Sequence, residues 1–131
     1  MSSEKIVMIE DEEEMVRLLK IELSSEGYDV STAYGGKVGL ELIQQTKPVL
    51  VILDVMLPEM DGFDLLKKIK TDPATKDIPV FMLTAKGLDE DIQRGLSLGA
   101  DDYISKPFHP DLLLKRIKNF LDFTGRNKRN L

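Results

Sequence analysis

Apolar residues follow two patterns that alternate along the chain, short continuous runs and longer stretches with helical spacing. The runs Lys5 to Ile9 and Val49 to Leu53 are short and rich in β-branched residues, which indicates buried strands. Apolar side chains at helical spacing mark Glu12 to Glu26 as the first helix, and Gly27 is a natural end for it: they are Met15, Leu18, Leu19 and Leu23.

The same alternation predicts five strands and five helices in all. The other predicted strands are Tyr28 to Ala33, Pro79 to Leu83 and Asp102 to Ile104. The other predicted helices are Lys37 to Gln45, a helix with Phe63, Leu66 and Ile69 on one face that ends near Asp72-Pro73, Asp89 to Leu98, and Pro110 to about Asp122. Strict alternation predicts right-handed crossovers and therefore a doubly wound α/β fold, with helices on both faces of a parallel sheet.

The order of the strands follows from their hydrophobicity. The first, third and fourth strands are the most apolar, as expected for strands buried on both faces. They should therefore be central, which favours the flavodoxin-like (βα)5 order 2-1-3-4-5. In such a sheet the functional crevice lies beyond the carboxyl ends of the strands where the order reverses, here between the first and third strands.

Composition narrows the class of protein. The chain has 131 residues, of which 42% are apolar and 31% charged, and this suits one globular domain. It has no cysteine, which excludes disulfides, thiolate catalysis and cysteine-ligated zinc. We expect one domain over residues 1–124, followed at 125–131 by a basic tail or the start of a linker that contains Arg126, Lys128 and Arg129.

Charge and hydropathy bear on location and partners. The N-terminus, MSSEKIVMIEDEEE, lacks the basic start and the apolar stretch of a signal peptide, and no apolar run is long enough to span a bilayer. The formal charge of -5 argues against general binding to polyanions. We therefore expect a cytoplasmic protein that binds neither nucleic acid nor membrane directly.

Polar side chains follow the strands at the predicted crevice: Glu10 and Asp11, Asp54, Thr84 and Lys106. Two like charges 4 Å apart repel by roughly 4 kcal/mol at an effective dielectric constant of about 20, so three carboxylates call for a cation beyond one lysine. Hard oxygen ligands favour Mg2+, with Mn2+ as a substitute. This set suits phosphoryl transfer to Asp54, with Thr84 and Lys106 holding the phosphoryl oxygens.

Four motifs in order, IEDE, LDVMLPEMDG, PVFMLTA and GADDYISKPF, make the chain resemble the CheY-like receiver domains of bacterial response regulators. The resemblance extends to about Phe123. It implies that Asp54 is the phosphoacceptor and that Glu10 and Asp11 are the acidic pair that serves the metal. It also implies that Thr84 is the switch hydroxyl and Lys106 the lysine that pairs with the phosphate.

Further roles are implied by the same resemblance. Met56 would bind the metal through its backbone carbonyl, and Met56 and Lys86 occupy positions that tune the lifetime of the phosphorylated state. Tyr103 would be the switch aromatic that turns inward once Thr84 moves toward the phosphoryl group. The Lys106-Pro107 peptide bond would be cis, an isomer that only X-Pro bonds adopt at low cost.

Implied partners are a sensor histidine kinase or a histidine phosphotransfer protein as donor, and a downstream protein or output domain. The output face would consist of the fourth helix, the fifth strand and the fifth helix. In receivers joined to winged-helix domains this face forms a phosphorylation-dependent homodimer, and Asp102 with Arg116 fits one of its charged pairs. Ile92 and Leu112 stand where another pair would have a base and an acid. A stand-alone regulator and a receiver joined to an output domain both fit the sequence.

Three other classes of function share the fold or part of the residue set. A haloacid-dehalogenase-type phosphohydrolase needs a second aspartate two residues after the nucleophile, where this chain has Met56. A flavodoxin-like FMN carrier would place phosphate against the five acids from Glu10 to Glu14, which would repel it. A phosphorylation-independent interaction module of the same fold is the third, and the intact set of reactive residues argues against it.

Overall fold

Five parallel strands form the central sheet, in the order β2-β1-β3-β4-β5. A computed structural model describes residues 4–84 and 89–123. The strands are β1 (Lys5–Ile9), β2 (Asp29–Ala33), β3 (Leu50–Asp54), β4 (Val80–Thr84) and β5 (Asp102–Ser105). The helices are α1 (Glu13–Ser25), α2 (Gly36–Thr46), α3 (Gly62–Thr71), α4 (Asp89–Ser97) and α5 (Pro110–Leu121). The predicted doubly wound fold and strand order are confirmed.

Alternate residues of the central strands face two separate hydrophobic cores, because successive side chains of a strand point to opposite faces. Ile6 and Met8 of β1 face a core that α1 and α5 cover. Val7 and Ile9 face a second core, which α2 and α3 cover. Every apolar residue of β3 and β4 is buried as well, which explains why these strands, with β1, carry no polar alternation.

Most element boundaries agree with the prediction to within a residue or two, and the differences have local causes. Glu12 has an extended backbone, so α1 begins at Glu13. The Tyr28 amide donates to the Leu23 carbonyl at 3.2 Å and thereby belongs to the turn that ends α1, so β2 begins at Asp29.

Two predictions fall outside the described residues. These are the role of Lys86 and the basic tail at 125–131. Within the described part of the chain, no helix is both long enough and apolar enough to cross a membrane.

A lysine clamp joins the carboxyl end of α3 to the amino-terminal edge of the sheet. The Lys70 ammonium donates to the Ile78 carbonyl at 2.7 Å and lies 3.2 Å from Asp101 Oδ2. The same Asp101 oxygen accepts the Val80 amide at 2.8 Å. Because Val80 begins β4 and Asp101 directly precedes β5, the clamp fixes the start of both strands.

Lys70→Met is expected to lower the free energy of unfolding by about 1–3 kcal/mol, because carbonyl and carboxylate acceptors lose their donor. Urea unfolding measures this change, with Lys67→Met on the exposed surface of α3 as the matched control. The clamp lies at the opposite end of the strands from Asp54 and should leave its chemistry unaltered. Equal stability of the two variants would contradict the interpretation.

Candidate functional site

Polar residues meet at the carboxyl ends of the central strands, where the strand order reverses between β1 and β3. Glu10 directly follows β1, Asp54 ends β3 and Thr84 ends β4. Their exposed fractions are 0%, 4% and 3%, so each side chain lies inside the protein. Burial of polar groups to this degree costs free energy of folding. Their presence together therefore marks this edge of the sheet as the candidate site.

Lys106 links the two buried carboxylates. Its ammonium nitrogen lies 2.9 Å from Glu10 Oε1 and 3.1 Å from Asp54 Oδ2. The Lys106-Pro107 peptide bond directly after it is cis. One cation from the loop after β5 thus bridges the ends of β1 and β3.

Backbone amides orient the same carboxylates from the other side. The Glu12 amide donates to Glu10 Oε2 at 3.1 Å, and the Met56 amide donates to Asp54 Oδ1 at 3.2 Å. Each carboxylate is therefore held between an amide and the Lys106 ammonium. These contacts fix the orientation of both carboxylates.

Burial and neighbouring charges both shift the pKa values of groups in the site. Burial, together with the neighbouring Asp54, raises the pKa of Glu10 to about 7, although Lys106 acts in the opposite direction. Burial alone would lower the pKa of Lys106, but Glu10 and Asp54 raise it on balance. Lys106 is therefore a fixed cation, and it does not neutralise the cluster alone.

A third carboxylate completes a group able to hold a metal ion. One oxygen each from Glu10, Asp11 and Asp54 lie within 4.8 Å of one another. Asp11 is exposed, unlike the other two, so the group opens toward solvent. Three carboxylate oxygens with an open side suit a hard divalent cation that keeps some of its water. The donor set fits the cation that the sequence predicted.

The loop between β3 and α3 carries Met56, whose side chain is 69% exposed. Met56 forms an isolated antiparallel bridge with Asp61, and the Asp61 side chain accepts the Phe63 amide at 2.8 Å at the start of α3. These contacts close the loop between β3 and α3. The proposed metal-binding role of the Met56 carbonyl stays a prediction.

Gly62 is a residue whose importance the sequence did not reveal. Its amide donates to the Val55 carbonyl at 2.8 Å. A Cβ atom at position 62 would lie 2.3 Å from the Asp54 carbonyl oxygen and 2.7 Å from Val55 Cα. Only glycine permits this approach of two backbone segments, and the DG pair that closes LDVMLPEMDG was the available signal.

Tyr103 lies on β5, the neighbour of β4, and its hydroxyl is buried inside the protein. Burial raises the pKa of the Tyr103 phenol, while the nearby Thr84 hydroxyl lowers it. The ring also lies against α4, because a Cβ atom at Gly95 would come within 2.6 Å of Tyr103 Cε2. Tyr103 is thus turned inward in this structure, next to the predicted switch hydroxyl.

Charged residues of the predicted output face pair within the chain. Arg116 Nη1 of α5 lies 2.9 Å from Asp102 Oδ1 of β5. Leu112 is 43% exposed on the same helix, and Ile92 of α4 is partly buried. The face therefore combines a satisfied ion pair with exposed apolar surface.

Comparison with known proteins agrees with this geometry. The profile of the response regulator receiver domain matches residues 6–118. The regulatory protein VanRc of Enterococcus gallinarum is 47% identical over 119 residues, which are 91% of this chain and 50% of that protein. The alkaline phosphatase synthesis transcriptional regulatory protein PhoP of Bacillus subtilis is 43% identical over 119 residues, 91% of this chain and 49% of that protein.

Solved structures give the same result. A CheY-like receiver domain from Methanospirillum hungatei superimposes with a TM-score of 0.88 at 32% identity, covering 96% of this chain and 99% of that one. The chain spans about half the length of the first curated relatives that it matches. Profile, relatives and fold agree: the chain belongs to the response regulator receiver domains of two-component signal transduction.

Proposed function

We propose that Asp54 accepts a phosphoryl group from the phosphohistidine of a sensor histidine kinase or a histidine phosphotransfer protein, with Mg2+ as cofactor and Mn2+ as a substitute. The observation that carries the proposal is the setting of Asp54. Its carboxylate is buried, lies 3.1 Å from the Lys106 ammonium and shares a 4.8 Å cluster with Glu10 and Asp11. The phosphoryl group and the Asp54 carboxylate are both negatively charged, so transfer within this cluster requires a cation that offsets their repulsion.

In the proposed reaction an Asp54 oxygen attacks phosphorus in line with the phosphohistidine nitrogen. The new O–P bond forms as the P–N bond breaks, and its electron pair stays on the leaving imidazole. When bound, Mg2+ offsets the repulsion between the carboxylate and the phosphoryl oxygens. Glu10, Asp11 and Asp54 would hold it through carboxylate oxygens, and the Met56 carbonyl would be a further ligand.

Two side chains of the protein would then bind the phosphoryl oxygens. Lys106 would exchange its contact with Asp54 for one with the phosphoryl group, because that group brings nearly two negative charges. Thr84 would donate its hydroxyl from the end of β4. The receiver would thereby supply most of the groups that assist its own phosphorylation and its slow dephosphorylation.

The response to phosphorylation would be a population shift at the face formed by α4, β5 and α5. In this proposal the inward position of the Tyr103 ring reports the position of the Thr84 hydroxyl. The face would bind a downstream protein, an attached output domain or a second copy of the chain. The cytoplasmic location and the lack of direct nucleic acid binding predicted from the sequence are part of this proposal.

Met56 argues for a switch rather than a phosphohydrolase. A hydrolase of the haloacid-dehalogenase type uses an aspartate at this position to transfer a proton, and a thioether cannot do so. The exposed Met56 side chain lies two residues after Asp54, at a position that would affect access of water to the acyl phosphate. A slowly hydrolysed phosphoprotein follows from that arrangement.

Intact mass spectrometry after incubation with acetyl phosphate and Mg2+ tests the proposal, with Asp54→Asn as the matched variant. We expect one added phosphoryl group on the wild-type protein and none on the variant or after chelation of Mg2+. Equal labelling of both proteins would overturn the assignment of Asp54.

A titration with beryllofluoride accompanies the mass measurement, because some receivers react poorly with small donors. Mg2+-dependent binding supports the phosphoacceptor. Absence of both labelling and binding would favour the phosphorylation-independent interaction module. Sustained turnover of a small phosphoester would instead favour the hydrolase.

A further inference from the structure

Phe63 connects the phosphoacceptor loop to the interior. Its ring is 3% exposed within the first turn of α3. Gly62, its neighbour in sequence, packs against the backbone of Asp54 and Val55 without room for a side chain. A shift of the Asp54 backbone would therefore also move Phe63, because Gly62 is in direct contact with that backbone.

Arg94 of α4 covers that ring. Its guanidinium carbon lies 4.5 Å from the Phe63 ring centroid, within the range of a cation–π interaction. Arg94 is exposed on its outer side. The contact thus connects α4, a helix of the predicted output face, to the residue next to Gly62.

Tyr103 packs against the same turn of α4. A Cβ atom at Gly95 would lie 2.6 Å from Tyr103 Cε2 and 3.6 Å from Phe63 Cε1, so both rings lie beneath this residue. Two charges of α4 also act on the Tyr103 phenol: Asp91 raises its pKa and Arg94 lowers it. Arg94 therefore contacts the Phe63 ring and lies within electrostatic reach of the inward Tyr103 hydroxyl.

We propose that Arg94 is a positioning residue of the switch, whose contact with Phe63 stabilises the arrangement of α4 in which Tyr103 is turned inward. The proposal rests on the proposed function, because it names a second connection between the phosphoacceptor and α4. It adds a contact through the β3–α3 loop to the predicted connection through Thr84 and Tyr103.

Thermodynamic linkage makes the proposal measurable. If ligand binding at Asp54 favours inward Tyr103, a contact that favours the same arrangement must raise the affinity of the site for that ligand. Loss of the contact must lower that affinity even though Arg94 lies on α4, outside the carboxylate cluster of the site. A residue that merely stabilises the fold would alter unfolding and leave the affinity of the folded protein unchanged.

The test measures beryllofluoride affinity at saturating Mg2+ by NMR titration for four proteins: wild type, Arg94→Gln, Phe63→Leu and the double variant. A cation–π contact at an exposed site corresponds to about a twofold to fivefold loss of affinity for Arg94→Gln. Because both single variants remove the same contact, the double variant should show less than the product of the two single losses.

Arg17→Gln on α1 is the matched control, since it removes the same charge from another exposed arginine. Unchanged affinity for Arg94→Gln, fully multiplicative losses in the double variant, or an equal loss for Arg17→Gln would each overturn the role of Arg94. A wild-type protein that fails to bind beryllofluoride with Mg2+ would instead overturn the proposed function on which this inference rests.

Discussion

Gly62→Ala is expected to lower the free energy of unfolding by about 3 kcal/mol or more, at the upper end of the cost of overpacking. The added Cβ would meet the Asp54 carbonyl oxygen at 2.3 Å and Val55 atoms at 2.7 and 2.8 Å. All three are backbone atoms, which no change of rotamer can move. The loop would have to separate from β3, and phosphorylation at Asp54 should weaken with it. Urea unfolding and intact mass measure the two effects.

Gly36→Ala is the control for this prediction. Gly36 and Gly62 are each the first residue of a helix, so the intrinsic helix propensities change alike. At Gly36 the new Cβ would meet side-chain atoms instead, the Met60 sulfur at 3.1 Å, Met60 Cβ at 3.2 Å and Leu65 Cδ2 at 3.6 Å. That variant should lose less than about 1 kcal/mol. Similar losses at both positions would show that the backbone approach at Gly62 is not the cause.

Lys106→Met is expected to cost about 3 kcal/mol of stability, the typical loss when one partner of a buried ion pair is removed. Methionine keeps most of the apolar stem but leaves Glu10 and Asp54 without the cation that they share at 2.9 and 3.1 Å. The variant should also lose the beryllofluoride-induced changes at α4, because the fluorides, which stand in for the phosphoryl oxygens, lose a charged partner. Urea unfolding without Mg2+ and NMR spectra with and without beryllofluoride test these results.

A second substitution separates charge from packing at this position. At a pH well above the Glu10 pKa of about 7, where this buried carboxylate is charged, Glu10→Gln in the Lys106→Met background removes one of the two unpaired charges and should recover a large part of the lost stability. Lys20→Met, on the exposed surface of α1, controls for the loss of a lysine in general. If the Glu10→Gln substitution restored nothing, the electrostatic origin of the loss would have to be abandoned.

The fold was predictable because its strands are buried on both faces. Each central strand is a continuous apolar run, and this pattern alone distinguishes β1, β3 and β4 from the edge strands. Once the order was known, parallel strands had to bring Glu10, Asp54 and Thr84 to one edge of the sheet. Convergence of these residues therefore follows from local patterns and topology together.

Contacts between side chains of different helices and loops were not predictable in this way. In the sequence, Arg94 on α4 has the pattern of an ordinary charged surface residue, and Phe63 is one apolar position among several on α3. Their contact depends on how α3 and α4 lie side by side, which no periodicity encodes. The close approach at Gly62 likewise depends on the path of a loop, for which sequence patterns indicate a turn but no distance.

The Asp102–Arg116 pair has a consequence for assembly. A dimer that exchanged this contact between two copies would break two ion pairs within the chains and form two between them. The number of ion pairs would therefore stay the same. Surface ion pairs of this kind contribute little net affinity, but they discriminate strongly against a mismatched partner. Affinity at such an interface would have to come from exposed apolar residues such as Leu96 and Leu112, while the charges would select the partner and set its register.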